Sequence, residues 1–318
     1  MRFLIFLLFA GSVFAQPPGK TWRVGFLSTV GPEASAGVLG GFREHMRAFG
    51  YVEGKNLTIE QRWPTTTFDK DPAPVNALVQ SKPDVIVAWA TPATIAARRA
   101  TSTIPIVFVG NSDPVGSGLV RSLARPGGNI TGVSNIGVEL AAKQVELVVE
   151  LLPGTKRLGV IVNPANSAVM AQFEEVKRAI RALGLQSEVA NARSGEEYDN
   201  AFKQFAKSKM NAVLIVPDPS VLENRQRIAV LALKLRLPTF FQREENVKAG
   251  GLVSYGPNLT DQLRQTARFV DKILKGARPA DLPIEQPERV ELVLNATTAK
   301  ALRIAVPPAV QFRAQVVE

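Results

Sequence analysis

The sequence contains no cysteine and a single histidine among its 318 residues. Without thiols the chain forms no disulfide and carries no lipid on a cysteine. With one imidazole and no thiolate, no transition-metal site is expected, because such sites draw on those ligands. His45 falls inside a helical pattern, where a lone histidine is ordinarily a surface or boundary residue and not a catalytic base. A Walker-type phosphate loop is also missing. The stretch Gly37-Val38-Leu39-Gly40-Gly41 lies within a helical pattern, not at the strand-to-helix turn that a dinucleotide pyrophosphate needs. Gly127-Gly128 and Gly250-Gly251 read as turns. No cofactor is expected, and the poverty in histidine and cysteine argues against an enzyme.

Acidic residues are in the minority, 28 against 38 lysines and arginines, for a net charge of +10. Such a surplus raises the question of nucleic acid. The basic residues are scattered, however: Arg98-Arg99, Arg121, Arg125, Lys177-Arg178, Lys203, Lys207, Lys209, Arg264 and Arg268 sit mostly on helical faces beside acids. There is no basic block and no aromatic platform, so they read as solvated surface and no nucleic-acid partner is expected.

One apolar run stands at the N-terminus. Arg2 precedes Phe3 to Ala10, too short for a bilayer span, which takes roughly 20 residues. Gly11 and Ser12 lead to Val13-Phe14-Ala15, with small residues one and three before a cut after Ala15, and Gln16-Pro17-Pro18-Gly19 then breaks the chain. This is the layout of a cleavable secretory signal. The expectation is a periplasmic protein of a two-membrane bacterium, released without a lipid anchor. Removal of residues 1–15 leaves about 300 residues, more than one typical core holds, which suggests two domains.

Short apolar runs alternate with amphipathic helical stretches, the signature of parallel sheets wrapped by helices. Strands are expected at Trp22 to Ser28, Leu57 to Trp63, Val85 to Ala88, Ile106 to Val109 and Ile130 to Ser134, with helices at Gly37 to Ala48, around Val75 to Gln80, and from Thr91 to Arg99. The pattern then restarts with a helix at Glu139 to Leu152. Strands follow at Leu158 to Val162, Gln186 to Ala190, Ala212 to Val216, Thr239 to Phe241 and Leu252 to Tyr255. Helices between them cover Val169 to Leu183, Glu196 to Lys207 and Leu222 to Leu235. A late helix, Leu259 to Leu274, and a late strand, Val290 to Leu294, suggest that the chain crosses back between two Rossmann-like lobes.

Polar residues recur where these strands end. Ser28 and Thr29 follow the first strand, Thr91 the third, and Asn111, Ser112 and Asp113 the fourth; Asn163 and Asp218 hold matching places in the second half. Ligands of open α/β sheets bind outside such strand ends, and helix N-termini there offer free N–H groups to an anion. The same residues also suit helix caps and turns, so the cleft reading rests on their recurrence in both halves.

At this point the chain resembles the ABC-transporter substrate-binding family that includes tryptophan- and tyrosine-type binding proteins. The matching stretches include Arg23-Val24-Gly25-Phe26-Leu27-Ser28, Gly50-Tyr51-Val52-Glu53-Gly54-Lys55-Asn56-Leu57, Thr91-Pro92-Ala93 and Thr101-Ser102-Thr103-Ile104-Pro105-Ile106-Val107-Phe108. They continue through Asp113-Pro114-Val115-Gly116-Ser117-Gly118-Leu119-Val120, Ala124-Arg125-Pro126-Gly127-Gly128-Asn129-Ile130-Thr131-Gly132 and Ala249-Gly250-Gly251-Leu252-Val253-Ser254-Tyr255-Gly256. The resemblance runs from about residue 22 to the C-terminus. It implies a type I periplasmic-binding fold with three crossovers: an N-terminal lobe of residues 22–133 plus about 257–286, and a C-terminal lobe of 134–256 plus about 287–318. It also implies a hinge that closes on a small ligand and partners in an ABC permease and ATPase at the inner membrane, with the binding protein a monomer. Two places depart from the pattern. The family often has an aromatic-rich stretch after the strand at Thr239 to Phe241, where this chain has Gln242-Arg243-Glu244-Glu245-Asn246. It also often has small residues before Thr91-Pro92, where Trp89 stands here. Both places would line the cleft.

The expected ligand is an amino acid, aromatic or branched. Thr91, with Pro92 in the first turn of its helix, suits a carboxylate, assisted by Ser28 and Thr29. An ammonium group needs a buried acid, for which Asp218 ranks before Asp113. Trp89, Phe241 and Tyr255 would supply an apolar wall, and Asn111 and Asn163 complete the candidate set. Two other functions share these residues: a sensor presenting its ligand state to a membrane receptor, and an exported hydrolase or isomerase using Asp113 or Asp218.

Overall fold

The computed structural model describes residues 19–166 and 169–318. The expected signal segment, residues 1–15, lies outside them. The first half reads β1 (Trp22–Leu27), α1 (Pro32–Ala48), β2 (Leu57–Arg62), α2 (Ala73–Gln80), β3 (Val85–Trp89), α3 (Thr91–Ala100), β4 (Ile106–Asn111) and β5 (Ile130–Ser134). These strands form one parallel sheet in the order β2-β1-β3-β4-β5. Because strand side chains alternate between faces, the sheet builds two cores. Val24, Phe26, Val85, Val87, Val107 and Val109 meet Leu39, Phe42 and Met46 of α1, while Leu27, Ile86, Ala88, Ile106 and Phe108 meet Leu78 of α2 and Ala93 and Ala97 of α3. Burial on both faces is why these strands read as unbroken apolar runs.

The second half contains α4 (Gly137–Leu151), β6 (Arg157–Val162), α5 (Met170–Ala182), β7 (Gln186–Asn191), α6 (Gly195–Lys207), β8 (Ala212–Ile215), α7 (Pro219–Glu223), α8 (Arg225–Lys234), β9 (Thr239–Phe241), α9 (Glu244–Lys248) and β10 (Val253–Pro257). After these come α10 (Leu259–Leu274), β11 (Val290–Asn295), α11 (Ala296–Leu302), α12 (Pro308–Arg313) and β12 (Ala314–Val317). Their sheet runs β12-β11-β10-β9-β8-β6-β7. Every pair is parallel except β10 and β11.

That exception follows from the route of the chain. After β10 it returns to the first sheet, where Leu263, Ala267 and Val270 of α10 join the core under α1, and Asp271 accepts the Tyr51 hydroxyl at 3.0 Å. Residues Ile284 and Glu285 then run beside β5, with Glu285 N–H donating to Gly132 and Ser134 N–H donating to Glu285. The chain re-enters the second sheet from the edge it left, so β11 must run against β10. Asp261, at the start of α10, accepts from Arg289 in the returning segment and from Arg264. Arg289 holds the Asp261 carboxyl below the usual carboxylate range, and the pair ties two crossovers together.

The helix expected over Leu222 to Leu235 is divided. Asp218 caps a separate turn, accepting from Ser220 N–H, with Pro219 at its first position. Asn224 ends that turn by donating its side-chain amide to the Ser220 carbonyl.

Candidate ligand-binding cleft

The carboxyl ends of β1, β3 and β4 face those of β6, β8 and β9 across a narrow cleft, about 470 Å³ of space when the solvent at its mouth is included. Thr29, Trp89, Thr91, Pro92, Gly110 and Ser112 form its first wall, Asn135 its hinge side, and Asn166, Pro217, Asp218, Leu222 and Arg243 its second wall. Leu222 comes from the second lobe yet packs into the first lobe's core, 5% exposed. The two lobes are therefore in contact, as in a closed clamp.

The first wall is built by abrupt exits from two strands. After Trp89 the chain turns at Ala90, whose φ of 68° is left-handed and strained for a residue with a Cβ. Ala90 has no side-chain oxygen, so α3 starts without a side-chain cap, and the Thr91 and Ala93 N–H groups stay available to an anion. After Val109 the chain turns at Gly110, φ 78°. The absence of a side chain there lets an Arg243 guanidinium nitrogen come within 3.1 Å of where a Cβ would stand. Two buried donors on this wall have no partner: the Thr29 hydroxyl and the Trp89 indole N–H. Buried polar groups are normally satisfied, so a donor-rich wall without acceptors points to a ligand that brings them.

On the second wall Arg243 stands two residues past the end of β9, at the N-cap position of α9. Its guanidinium lies over Trp89, 6.0 Å from the ring centroid, and its one acidic neighbour among the ion pairs, Glu245, is 3.9 Å away. Asp218 is in the opposite state. It accepts from Ser220 N–H and Oγ, from Asn163 Nδ2 at 3.3 Å and from Asn166 Nδ2 at 2.9 Å. Ser220 is in turn bonded to the buried Tyr198 hydroxyl at 2.8 Å. Burial raises the Glu223 carboxyl above its ordinary value, Asp218 adds to this, and the Gly31 N–H of the first lobe opposes it.

Of the residues selected from sequence, Thr29, Trp89, Thr91, Pro92 and Asp218 come together here. Ser28 is fully buried and bonded to Val30, shaping the loop that presents Thr29. Asn111 is buried and accepts from Thr94. Asp113 caps a turn through Gly116 N–H, outside the cleft lining. Asn163 stands behind Asp218. Phe241 packs in the second lobe's core and lines a smaller neighbouring cavity. Tyr255 packs on the other face of that sheet, its carbonyl taken by Gln144. Arg243, Leu222 and Asn166 were not among the selected residues, and Ser112, noted from sequence at the end of its strand, lines the cleft as well. Arg243 carried the same signal as Asp218, a polar residue two places after an expected strand, in the segment expected to line the cleft.

Among the described residues no cluster of three or more His, Cys, Asp or Glu could hold a metal ion, and no helix is long and apolar enough to cross a membrane. The sequence profile of a family described as ABC transporter substrate binding protein matches residues 23–318. A tyrosine-binding protein of Clostridioides difficile (strain R20291) is 26% identical over 263 residues, spanning 82% of this chain and 75% of that one. A conserved domain protein from Vibrio cholerae O1 biovar eltor has a structure similar at a TM-score of 0.85, with 32% identity over 94% of this chain and 100% of that one. The ABC domain in complex with L-Trp from Streptococcus pneumonia is similar at a TM-score of 0.83, with 27% identity over 94% of this chain and 100% of that chain.

Proposed function

Because this chain belongs to the family of ABC transporter substrate-binding proteins, solute binders and not enzymes, we propose that it captures an apolar or aromatic L-amino acid and delivers it to an importer's permease and ATPase. The observation that carries this reading is the pairing of an acceptor-less donor wall, Thr29, Trp89 and the α3 N-terminus, with an Arg243 guanidinium that crosses the cleft. Together they form a carboxylate site. The Trp89 ring beside it gives an apolar wall, where stacking adds about 0.5–1.5 kcal/mol beyond burial. The relatives described as tyrosine-binding and as a complex with L-Trp support the same class.

We place export by cleavage after Ala15, a soluble monomer in the periplasm, and lobes of residues 22–133 plus about 257–286 and 134–256 plus about 287–318. The packing of α10 on the first sheet and of β11 on β10 supports these limits. Calorimetric titration of residues 16–318 with the L-amino acids tests the ligand class. At least one apolar or aromatic member should bind with a Kd of about 1 μM or tighter, equivalent to about −8 kcal/mol. Binding of none of them below 1 mM (about −4 kcal/mol) ends the reading.

Closure has its own marker. Leu222 joins the first lobe's core only when the lobes meet. Leu222→Ala therefore should weaken ligand binding by about 30-fold or more, from the loss of roughly 2–3 kcal/mol of closed-state packing. Scattering should show a ligand-free variant more open than the parent. Unchanged affinity would mean that Leu222 does not contribute to the clamp.

A further inference from the structure

An amino acid held by its carboxylate also presents an ammonium group, and the cleft's one fully engaged acid does not receive it readily. Both Asp218 oxygens already accept, from Ser220, Asn163 and Asn166, and an ionised carboxylate offers about four lone-pair sites. Beyond Asp218 lies the smaller cavity, about 240 Å³ of mostly open space with room at its centre for one water-sized group. It shares Pro217, Asp218, Leu222 and Arg243 with the main cleft, so the two adjoin.

Gln242 and Asn246 line this cavity, each 4% exposed. Their amide nitrogens donate to main-chain carbonyls, Gln242 Nε2 to Asn135 at 3.4 Å and Asn246 Nδ2 to Arg243 at 3.4 Å. These bonds orient both side chains, and they leave Gln242 Oε1 and Asn246 Oδ1 buried without any donor. One orphan acceptor is a local defect. Two on residues that line one small cavity indicate that a donor belongs there, since buried acceptors are normally paired.

We infer that this cavity is the amine subsite of the ligand, in which the side-chain carbonyls of Gln242 and Asn246 accept from an unsubstituted primary ammonium. The inference rests on the amino-acid reading above. Charge is compatible with it. Asp218 lines the cavity, and the Arg243 guanidinium points away, over Trp89 and toward Gly110, where the ligand's carboxylate neutralises it. The subsite's size excludes N-alkylation, and its two unpaired acceptors disfavour groups with fewer protons to donate.

The test is calorimetry on residues 16–318 with L-tryptophan, L-tyrosine and L-leucine, each beside its α-hydroxy acid and its N-methyl analogue. In the parent both analogues should bind at least about tenfold more weakly than the amino acid. Gln242→Met and Asn246→Leu should each weaken the amino acid by at least about tenfold while changing the hydroxy acid little, so that the amine preference collapses. Gln242→Glu keeps the shape and an acceptor while giving up the weak 3.4 Å bond from Nε2 to Asn135, and should retain or increase that preference. Equal binding of amine and hydroxy acid in the parent overturns the inference and leaves the carboxylate site standing, with the cavity then holding only water. A preference that survives Gln242→Met and Asn246→Leu, or is lost equally in Gln242→Glu, also overturns it. Failure of all three amino acids to bind the parent instead removes the amino-acid reading itself.

Discussion

Arg243→Ala is expected to weaken amino-acid binding by about 100-fold, measured by calorimetry on residues 16–318. Truncating one partner of a desolvated, hydrogen-bonded charge pair is destabilising by about 2–5 kcal/mol, because the other charge is left buried and unpaired. In the proposed site that charge would be the ligand's carboxylate, beside Trp89 and α3 with no second side-chain cation in the cleft lining. Arg243→Lys should recover only part of the loss, since an ammonium cannot reproduce the bidentate fork of a guanidinium. Melting of the ligand-free protein should change little. Arg243 is partly exposed, its ion pair with Glu245 is long, and such pairs contribute about 0–1 kcal/mol. Wild-type affinity in Arg243→Ala would move the anion site elsewhere in the cleft.

Gly132→Ala is expected to lower stability by about 3 kcal/mol or more. Gly132 sits in β5 opposite Phe108 of β4, and a Cβ on it would stand 2.1 Å from the Phe108 carbonyl oxygen and 2.7 Å from its nitrogen. These are backbone atoms in a sheet core, so no side chain can move aside; β5 must separate from β4 or distort. Overpacking in a tight core costs about 1–3 kcal/mol and occasionally more, and the rigidity of the neighbour places this case at the upper end. The same strand holds the returning segment through Gly132 and Glu285, so hinge geometry should suffer together with the melting temperature. A fall of roughly 6–12 °C corresponds to this loss in a chain of comparable size. A melt within about 2 °C of the parent would show that the strands yield more easily than their pairing suggests.

Much of the site was legible because strand ends are legible. Thr29, Trp89, Thr91 and Asp218 each stand where an apolar run stops, and in a parallel α/β sheet such stops gather on one edge. Arg243 was legible by the same rule, in a segment expected to line the cleft, but β9 is three residues long, and the segment stood out by lacking aromatics and not by any one side chain. Leu222 carried no local signal at all, since an apolar residue in a helical pattern reads as core of its own lobe. Asp113 and Asp218 looked alike in sequence. Asp113 turns back onto its own loop at Gly116, whereas Asp218 faces the cleft with Asn163 and Asn166 folded onto it.

Composition and periodicity by themselves determined the lobes, the parallel sheets and the absence of thiol and imidazole chemistry, because patterning and residue type act locally along the chain. The late helix and strand even announced the crossovers: α10 returns to the first sheet and β11 rejoins the second beside β10. Tertiary structure alone decided which polar groups were left without partners. Whether Asp218 is free or saturated, and whether Gln242 Oε1, Asn246 Oδ1 and Trp89 Nε1 are satisfied or orphaned, depends on groups brought near from distant parts of the chain. Hydrogen bonding is directional and short in range. Sequence spacing can bring a residue to the rim of a cleft, but only the packed fold determines which of its atoms still lacks a partner.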